Sequence, residues 1–366
     1  MTRGKVSKLL ISFVSLISFV IGVASGILLY HINHPITSDS LISGELKIHF
    51  LELGNKYNGD SILIQIGEYD ILVDAGSRTD SIDTIKSYID THIQDNTLEY
   101  VIATHADRDH IAGFAGDGNT SLLSHYKTGT IIQFPKTNST SKTYKNYLEM
   151  VEKEKQEGTK VYTALQCYNN QDGCNKTLDL GYGVELEILY NYFYENNSGD
   201  ENNYSVCFLL KQGDNKFLFT GDLEKEGEEK LVEFNNLDKV TLYKAGHHGS
   251  KTSSNELLLN IIQPEIVIVT CVAGSHEYTQ NPQSTFPTLT ALERISKYTD
   301  KVYVTSQSIV EYSNDKYVDI DYKSLNGNIV VTSNNTGVIV KGSNNNTLLK
   351  DSDWYKANRN TIEKWK

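Results

Sequence analysis

The chain has 366 residues, of which 39% are hydrophobic and 22% are charged. This composition is typical of a globular protein and argues against a largely disordered chain, and the length allows one large domain or two of ordinary size. The formal charge is −12, from 46 acidic and 34 basic residues, which argues against a broad electropositive surface for nucleic acid and leaves only a local basic patch open.

The N-terminal segment, residues 1–30, predicts a membrane anchor. Basic residues precede an uncharged run from Leu9 to Tyr30. As a helix that rises about 1.5 Å per residue, this run covers the roughly 30 Å of bilayer hydrocarbon. It is longer than the hydrophobic part of most cleaved signal peptides, although Ala24–Gly26 resembles a cleavage site. We therefore expect a single-pass protein of the cell membrane with everything after His31 outside the cytoplasm, or a secreted protein if the segment is cleaved.

The remaining chain predicts a linker at 31–43, a domain at 44–345 and an amphipathic C-terminal tail at 346–366. Within the domain, short β patterns alternate with helical patterns. We predict helices at Ser81–Ile93, Tyr144–Val151, Glu224–Phe234 and Thr288–Lys297. We predict strands at Leu46–Phe50, Ser61–Ile66, Asp70–Ala75, Glu99–Thr104, Lys160–Thr163, Val184–Leu189, Tyr204–Leu210, Lys216–Thr220, Val240–Tyr243, Glu265–Thr270, Val302–Thr305, Asn328–Thr332 and Gly337–Lys341.

This pattern favours an α/β fold in which two sheets pack together and helices cover their outer faces. The strands of the region 300–341 are expected to finish the second sheet. Two of the four cysteines, Cys167 and Cys174, lie in a polar segment and could close a short disulfide in an oxidising compartment. Cys207 and Cys271 lie in apolar runs and are expected to be core thiols.

The segment Thr104–His110 carries the strongest chemical signal. It reads T-H-A-D-R-D-H and places two histidines and two aspartates directly after an apolar strand. Imidazole nitrogen and carboxylate oxygen are natural ligands of zinc and related divalent metals. An ordinary Asp-rich capping loop would also contain carboxylates, but it does not account for the two histidines.

Two further clusters follow strands. Thr220-Gly221-Asp222 closes one strand, and by itself it suits an ordinary turn equally well. The segment 244–253, K-A-G-H-H-G-S-K-T-S, follows another, and its adjacent histidines between glycines are not typical of core packing. Three such clusters supply enough ligands for a dinuclear site with one bridging carboxylate.

The order of these motifs resembles that of the metallo-β-lactamase superfamily. I-L-V-D-A-G at 71–76 comes first, then H-x-D-x-D-H, then T-G-D, then H-H-G-S. More narrowly, the chain is similar to the C-terminal hydrolase domain of the DNA-uptake channel ComEC and its stand-alone relatives, over about Leu46 to Val340. The resemblance implies the αβ/βα sandwich of that superfamily.

The resemblance also implies a ligand set for one or two divalent ions, with Zn²⁺ expected and Mn²⁺ as the alternative. Its six members are His105, Asp107, Asp109, His110, Asp222 and His248. The first two would hold the first ion and the next two the second, while Asp222 would bridge both and His248 would complete the second site. Aspartate stands at 107 where the wider superfamily has histidine, which favours Mn²⁺ at the first site or weak binding there.

The resemblance assigns the remaining roles. Asp109 and His247 are the catalytic candidates, His247 for proton transfer or phosphate contact, although the sequence leaves open which histidine of the pair is the ligand. Residues expected to orient the ligands from behind are Asp74, Asn203 and Ser205. Residues expected to offer donors to a phosphate are Ser250, Lys251 and Thr252, unless they form only a solvated loop.

These roles predict a membrane-anchored phosphodiesterase that uses a metal-bound hydroxide on DNA or on a cell-envelope polymer. The alternatives are an envelope esterase, for example on phosphorylcholine-decorated teichoic acid, and an envelope protein that binds metal without catalysis. A lactonase or β-lactamase is disfavoured, because those enzymes have a more histidine-rich first site. The membrane is expected to be contacted through the N-terminal helix, and no protein partner is expected.

Overall fold

Two mixed sheets of eight strands each form the centre of the structure. The computed structural model describes residues 44–334 and 336–366. The strands that build the first sheet are β1 (Leu46–Phe50), β2 (Ile62–Ile66), β3 (Tyr69–Val73), β4 (Thr97–Ala103), β5 (Lys127–Gln133), β6 (Lys160–Thr163), β15 (Ile329–Asn334) and β16 (Gly337–Gly342). Those of the second sheet are β7 (Thr177–Asp179), β8 (Val184–Ile188), β9 (Phe208–Gln212), β10 (Asn215–Phe219), β11 (Leu242–Lys244), β12 (Ile266–Ala273), β13 (Val302–Ser313) and β14 (Lys316–Ser324).

Each sheet contains a parallel half and an antiparallel half. The first has the order β16-β15-β1-β2-β3-β4-β5-β6, with β3 to β6 parallel. The second has the order β14-β13-β12-β11-β10-β9-β8-β7, with β10 to β13 parallel. Because parallel strands end at the same edge of a sheet, the loops after β3 and β4 lie together, as do those after β10, β11 and β12.

The two sheets pack face to face. The ring of Phe50 on β1 stacks on Phe219 of β10 with centroids 6.2 Å apart, which joins the sheets through their shared core. Along β12, Ile268 belongs to this inner core, whereas its neighbours Val267 and Val269 belong to a second cluster on the other face. This alternation is that of a sheet buried on both faces.

Helices cover the sheets. They are α1 (Ser81–Ile89), α2 (Arg108–Ala115), α3 (Lys142–Gln156), α4 (Ala164–Tyr168), α5 (Lys225–Phe234), α6 (Glu256–Ile262), α7 (Leu289–Ile295) and α8 (Asp353–Asn358). Helix α5 packs Leu231 against the second sheet, and α6 and α7 add Leu259 and Leu292 to the same cluster. Helix α3 begins at Ser141, whose hydroxyl accepts a hydrogen bond from the amide of Tyr144, a capping contact worth about 1 kcal/mol.

The two-sheet α/β architecture predicted from the sequence is confirmed, and three expectations need correction. Strands β15 and β16 join the first sheet, because β15 pairs with β1, so only part of the region 300–341 finishes the second sheet. The strand predicted from Tyr204 begins at Phe208, since residues 201–204 form a short 3-10 turn capped by Asp200. Strands β5, β7 and β14 were not predicted.

The C-terminal segment packs against the domain. Trp354 and Trp365 are both 8% exposed and belong to the cluster on the second sheet. The predicted membrane anchor and the linker at 31–43 lie outside the described residues. Within the described part of the chain, no helix has both the length and the apolar character required to cross a membrane.

Candidate metal centre

The predicted ligands come from the segments that follow three strands, and two of them, Asp109 and His110, lie in the first turn of helix α2. His105, Asp109 and His110 follow β4 of the first sheet, Asp222 follows β10 and His248 follows β11 of the second. The structure brings these five side chains together at the edge where the parallel strands of both sheets end.

Four of them form a chain of close contacts. Oδ2 of Asp222 lies 3.1 Å from Nε2 of His110 and 3.4 Å from Nε2 of His248. Nε2 of His248 lies 3.5 Å from Oδ2 of Asp109. Ligand atoms that each lie about 2.0–2.2 Å from a tetrahedral metal are roughly 3.3–3.6 Å from one another. Each of these contacts suits two ligands of one divalent ion, and the converging groups are Asp109, His110 and His248 on one side and His105, His110 and Asp222 on the other, with His110 in both.

The other nitrogen of each imidazole is hydrogen-bonded. Nδ1 of His110 donates to Oδ2 of Asp74 over 2.7 Å, and Nδ1 of His248 donates to the carbonyl of Thr270 over 2.8 Å. Nδ1 of His105 lies 3.1 Å from the hydroxyl of Thr104, which itself donates to Asp74. These bonds leave Nε2 as the nitrogen that faces the site and could bind a metal, and metal-ligating histidines are held in this way.

The Nε2 atoms that face the site lack hydrogen bonds. Among the described residues, Nε2 of His105, His110 and His248 and Oδ1 of Asp222 are buried side-chain atoms without a hydrogen-bond partner. A buried polar atom without a partner costs about 1–3 kcal/mol, so four such atoms at one point would be a substantial cost. A divalent ion would satisfy them, so the donor set fits the group that the motifs imply.

The charges at this point also favour a cation. Burial opposes the protonation of His248, but Asp222 and then Asp60 outweigh it and raise the pKa of His248 to about 10. His110 behaves alike, because Asp222 and Asp74 hold its pKa well above the usual value. Burial opposes the ionisation of Asp222, yet the two imidazoles keep its pKa well below the usual range. The carboxylates thus create a strongly negative electrostatic potential at this point, which stabilises a bound proton or metal ion.

Asp107 lies at the edge of this group. Its side chain is 46% exposed, and its Oδ2 is 3.7 Å from Nε2 of His105. Partial desolvation, followed by repulsion from Asp109, raises its pKa to about 6. Burial and the nearby His110 lower the pKa of His105 to about 4. The structure therefore assembles the second predicted site more completely than the first.

The histidine pair divides into an inner and an outer member. His248 is buried and faces Asp222, whereas His247 is half-buried and lies outside the converging group, with Nδ1 3.3 Å from Oε1 of Glu224. Both have positive φ, at 46° and 53°. Such backbone costs about 1–3 kcal/mol per non-glycine residue and is retained mainly at functional sites. Of the pair, the geometry makes His248 the ligand candidate.

The predicted phosphate-binding residues form the continuation of this loop. The hydroxyl of Ser250 lies 2.9 Å from that of Thr252, which in turn lies 3.3 Å from Nδ1 of His247. Ser250 is buried, whereas Lys251 is exposed. Lys251 and Thr252 line a surface pocket together with Asp200 and Glu224.

The residues predicted to lie behind the ligands do so. Asp74 accepts one hydrogen bond from the amide of Thr104 over 2.8 Å and another from Nδ1 of His110. It therefore holds both the segment after β4 and the imidazole of His110. The hydroxyl of Ser205 accepts the amide of Asp222 over 3.0 Å. Asn203 accepts the amide of Glu224 over 3.2 Å and so fixes the same loop two residues further on.

A buried ion pair beneath the ligands was not predicted. Asp60 and Lys244 are each 2% exposed in their side chains and form a direct ion pair. Oδ1 of Asp60 lies 3.3 Å from Nδ1 of His248, and Nζ of Lys244 lies 4.0 Å from Oδ1 of Asp222. In the sequence, Lys244 stands at the end of an apolar strand and Asp60 follows a glycine-rich turn. Neither pattern predicts that the two residues pair.

The loops are packed too tightly for larger residues. A Cβ placed on Gly76 would lie 1.5 Å from the carbonyl oxygen of Asp109. Asp60 uses its amide to donate to the same oxygen over 3.0 Å. The I-L-V-D-A-G motif therefore ends in glycine because the ligand loop after β4 passes directly over it.

Comparison with known proteins agrees with this geometry. The sequence model of the metallo-β-lactamase superfamily matches residues 54–116 and 198–272, which contain all six predicted ligands. ComE operon protein 3 of Bacillus subtilis is 27% identical over 215 residues, which are 58% of this chain and 24% of that protein. Recombination protein 2 of Haemophilus influenzae is 28% identical over 212 residues, 58% of this chain and 21% of that protein.

The chain thus spans less than a quarter of the length of these two relatives. Among solved structures, the metallo-β-lactamase fold protein YhfI of Bacillus subtilis aligns with a TM-score of 0.41 and 12% identity, over 70% of this chain and 95% of that one. The matched segments and the order of the ligand motifs make the chain similar to the metallo-β-lactamase superfamily of metal-dependent hydrolases and to the ComEC-type proteins, and its two mixed sheets have the α/β arrangement of that fold.

Proposed function

We propose that this protein is a membrane-anchored, extracytoplasmic phosphodiesterase that acts on nucleic acid with one or two divalent ions. The observation that carries the proposal is the convergence of Asp109, His110, Asp222 and His248, whose Nε2 and carboxylate oxygen atoms lie 3.1–3.5 Å apart from one residue to the next.

Asp109, His110, Asp222 and His248 would hold one ion, and His105 with Asp107 a second. A divalent ion bound there lowers the pKa of water towards neutrality and polarises the scissile group. The oxygen-rich surroundings of His105 favour Mn²⁺ at that position, whereas Zn²⁺ suits the pair of imidazoles.

The protein's own groups orient this centre. Asp74 and the carbonyl of Thr270 hold the two imidazoles by Nδ1, and Ser205 holds the loop of Asp222. Because these partners are buried, the ligands are held in place before an ion arrives, and little reorganisation remains for catalysis. Lys251, exposed beside the site, supplies a positive charge for a phosphate oxygen.

Nucleic acid is supported by similarity, since one relative is named for recombination, a reaction of DNA. The location is supported by the apolar run Leu9–Tyr30 with basic residues before it. The disulfide between Cys167 and Cys174 also supports an oxidising compartment.

An envelope esterase is the second candidate. The formal charge of −12 favours a substrate that carries fewer negative charges than a long nucleic acid. A choline-bearing phosphodiester of the cell envelope meets this condition.

The test uses the full-length protein purified in detergent, freed of metal and then supplied with Mn²⁺ or Zn²⁺. We expect metal-dependent cleavage of single-stranded DNA and of bis-p-nitrophenyl phosphate. The Asp109→Ala/His110→Ala variant is the matched control for contaminating nucleases. Cleavage that survives in this variant, or opening of lactone or β-lactam rings without any phosphodiester cleavage, contradicts the proposal.

A further inference from the structure

An exposed tyrosine, Tyr278, is hydrogen-bonded to the ligand candidate Asp109. The hydroxyl of Tyr278 donates to Oδ2 of Asp109 over 2.9 Å, and this is the same oxygen that faces His248. The residue is nevertheless 56% exposed. Its polar end is therefore fixed at the metal centre while much of its ring remains open to solvent.

Tyr278 is held in this position by the residues before it. Glu277 forms an ion pair with Arg78 and accepts the amide and the side-chain amide of Asn58 over 2.9 and 3.1 Å. These contacts tie the segment to the loop that follows β1 and to the loop that follows β3.

A second anchor lies on the other side of Glu277. The ring of His276 stacks on Tyr317 of β14 with centroids 4.5 Å apart and planes within 9°. Its amide donates to Asp319 over 2.8 Å. Because His276 and Glu277 are both held in place, the binding of a ligand to Tyr278 costs little conformational entropy for ordering this loop.

The surroundings of Tyr278 provide one aromatic face. The nearest ring, Phe286, has its centroid 5.9 Å away and is only 9% exposed, so it supports Tyr278 and offers little surface of its own. A quaternary ammonium is recognised by rings that surround it, whereas a nucleobase is planar and stacks on one open ring. One exposed ring, with no second exposed ring paired to it among the described residues, matches the planar ligand better than an aromatic cage does.

We propose that Tyr278 is a specificity-determining residue that stacks on the nucleobase next to the scissile phosphate, while its hydroxyl holds it to Asp109. This inference rests on the proposed phosphodiesterase function and names the part of the substrate that the site recognises. It assigns the ring of Tyr278 to substrate binding and its hydroxyl to positioning.

The experiment compares three esters that share the leaving group p-nitrophenol: thymidine 5′-p-nitrophenyl phosphate, methyl p-nitrophenyl phosphate and p-nitrophenylphosphorylcholine. It uses the full-length protein in detergent with Mn²⁺. Stacking on one base is expected to raise kcat/KM for the thymidine ester about tenfold over the methyl ester. Tyr278→Leu is expected to remove this preference through KM, whereas Tyr278→Phe, which keeps the ring but loses the bond to Asp109, is expected to retain part of it.

Tyr182→Leu is the matched control, since Tyr182 is 46% exposed but lies in the turn between β7 and β8. It is expected to leave the preference unchanged. A preference that survives in Tyr278→Leu overturns the proposal. So does a preference for the choline ester that depends on Tyr278, because the ring would then recognise an ammonium.

Binding without cleavage separates the proposal from the proposed function. Fluorescence anisotropy of labelled hexathymidylate and of an abasic hexamer, with Ca²⁺ in place of Mn²⁺, measures stacking alone. Hexathymidylate is expected to bind about tenfold more tightly than the abasic hexamer, and Tyr278→Leu is expected to abolish this difference. If that result is obtained but no ester is cleaved, the stacking proposal stands and the phosphodiesterase function fails. If the two oligomers bind equally to the wild type, the stacking proposal fails, whatever the esters show. Thermal melting of each variant checks that it is folded.

Discussion

Nε2 of His110 lies 3.1 Å from Oδ2 of Asp222, although His110 follows a strand of the first sheet and Asp222 a strand of the second. The metal centre therefore lies where the two halves of the sandwich meet. Each half supplies ligands that the other lacks, so the position of the ions depends on how the two sheets are packed.

The first prediction concerns the ligands contributed by the first sheet. Asp109→Ala together with His110→Ala is expected to abolish binding at the second site, because it removes two of the four converging ligands. The number of ions bound per chain, measured by elemental analysis after dialysis, is expected to fall by one. Unchanged stoichiometry in the double variant would sink the assignment.

The second prediction separates catalysis from binding. Asp222→Asn is expected to lower kcat far more than it raises KM, since Asp222 is buried among the ligands and acts on the transition state. Lys251→Ala is expected to do the reverse, because an exposed cation binds phosphate in the ground state as well. Steady-state kinetics on bis-p-nitrophenyl phosphate check both, and equal effects on kcat in the two variants would contradict this division.

The third prediction concerns the buried pair of Asp60 and Lys244. Lys244→Met alone leaves a buried carboxylate without its partner and is expected to lower the free energy of unfolding by about 3–5 kcal/mol. The double variant Asp60→Asn/Lys244→Met removes both charges and is expected to recover most of this loss. Urea denaturation of the metal-free protein measures it.

The control for this prediction is the exposed pair of Lys297 and Glu256. Lys297→Met is expected to cost less than about 1 kcal/mol, since exposed pairs contribute little. If the double variant loses as much stability as Lys244→Met alone, or more, the two residues are not coupled and the reasoning is wrong.

The fourth prediction is a dependence of stability on pH that arises away from the metal centre. Burial, followed by the neighbouring His92, lowers the pKa of His49 to about 3, from an ordinary value of 6.5. Between these two values the unfolded chain binds a proton that the native protein does not bind. The free energy of unfolding is therefore expected to fall as the pH falls, by up to about 1.4 kcal/mol per pH unit.

His49→Leu is expected to remove this contribution. Urea denaturation from about pH 4 to pH 7 compares the slope of the variant with that of the wild type. Equal slopes would mean that His49 is protonated in the native protein as readily as in the unfolded chain.

The fifth prediction is the membrane topology. Alkaline phosphatase fused after Asn33 is expected to be active, since the basic residues before Leu9 should stay in the cytoplasm. A cytoplasmic reporter fused at the same position is expected to be inactive. The opposite pattern would place the metal centre inside the cell.

Much of the fold could be predicted because the apolar periodicity is strong. The run before His105 and the alternation of Leu46, Ile48 and Phe50 identify strands without further information. Strand β14 was not predicted, because its residues are polar or exposed along most of its length and form no apolar pattern. The pairing of β15 with β1 joins residues far apart in the chain, which no local pattern encodes.

Candidate ligands could be proposed from the sequence because they stand in short motifs of histidine and aspartate that core packing seldom contains. The sequence does not predict which nitrogen of each histidine faces the site, because this depends on the hydrogen bonds to Asp74 and to the carbonyl of Thr270. Tyr278 carries no signal in its neighbourhood and reaches Asp109 only through the folding of its loop.

The assignment of ligands to both sheets also determines when the centre can form. His248 is the last of the converging ligands along the chain, and its Nδ1 is held by the carbonyl of Thr270 on β12. A nascent chain that ends before β12 therefore contains every earlier ligand but lacks the partner that orients the last one. An ion at this centre would therefore reach its final geometry only after β12 has been synthesised and has paired with β11.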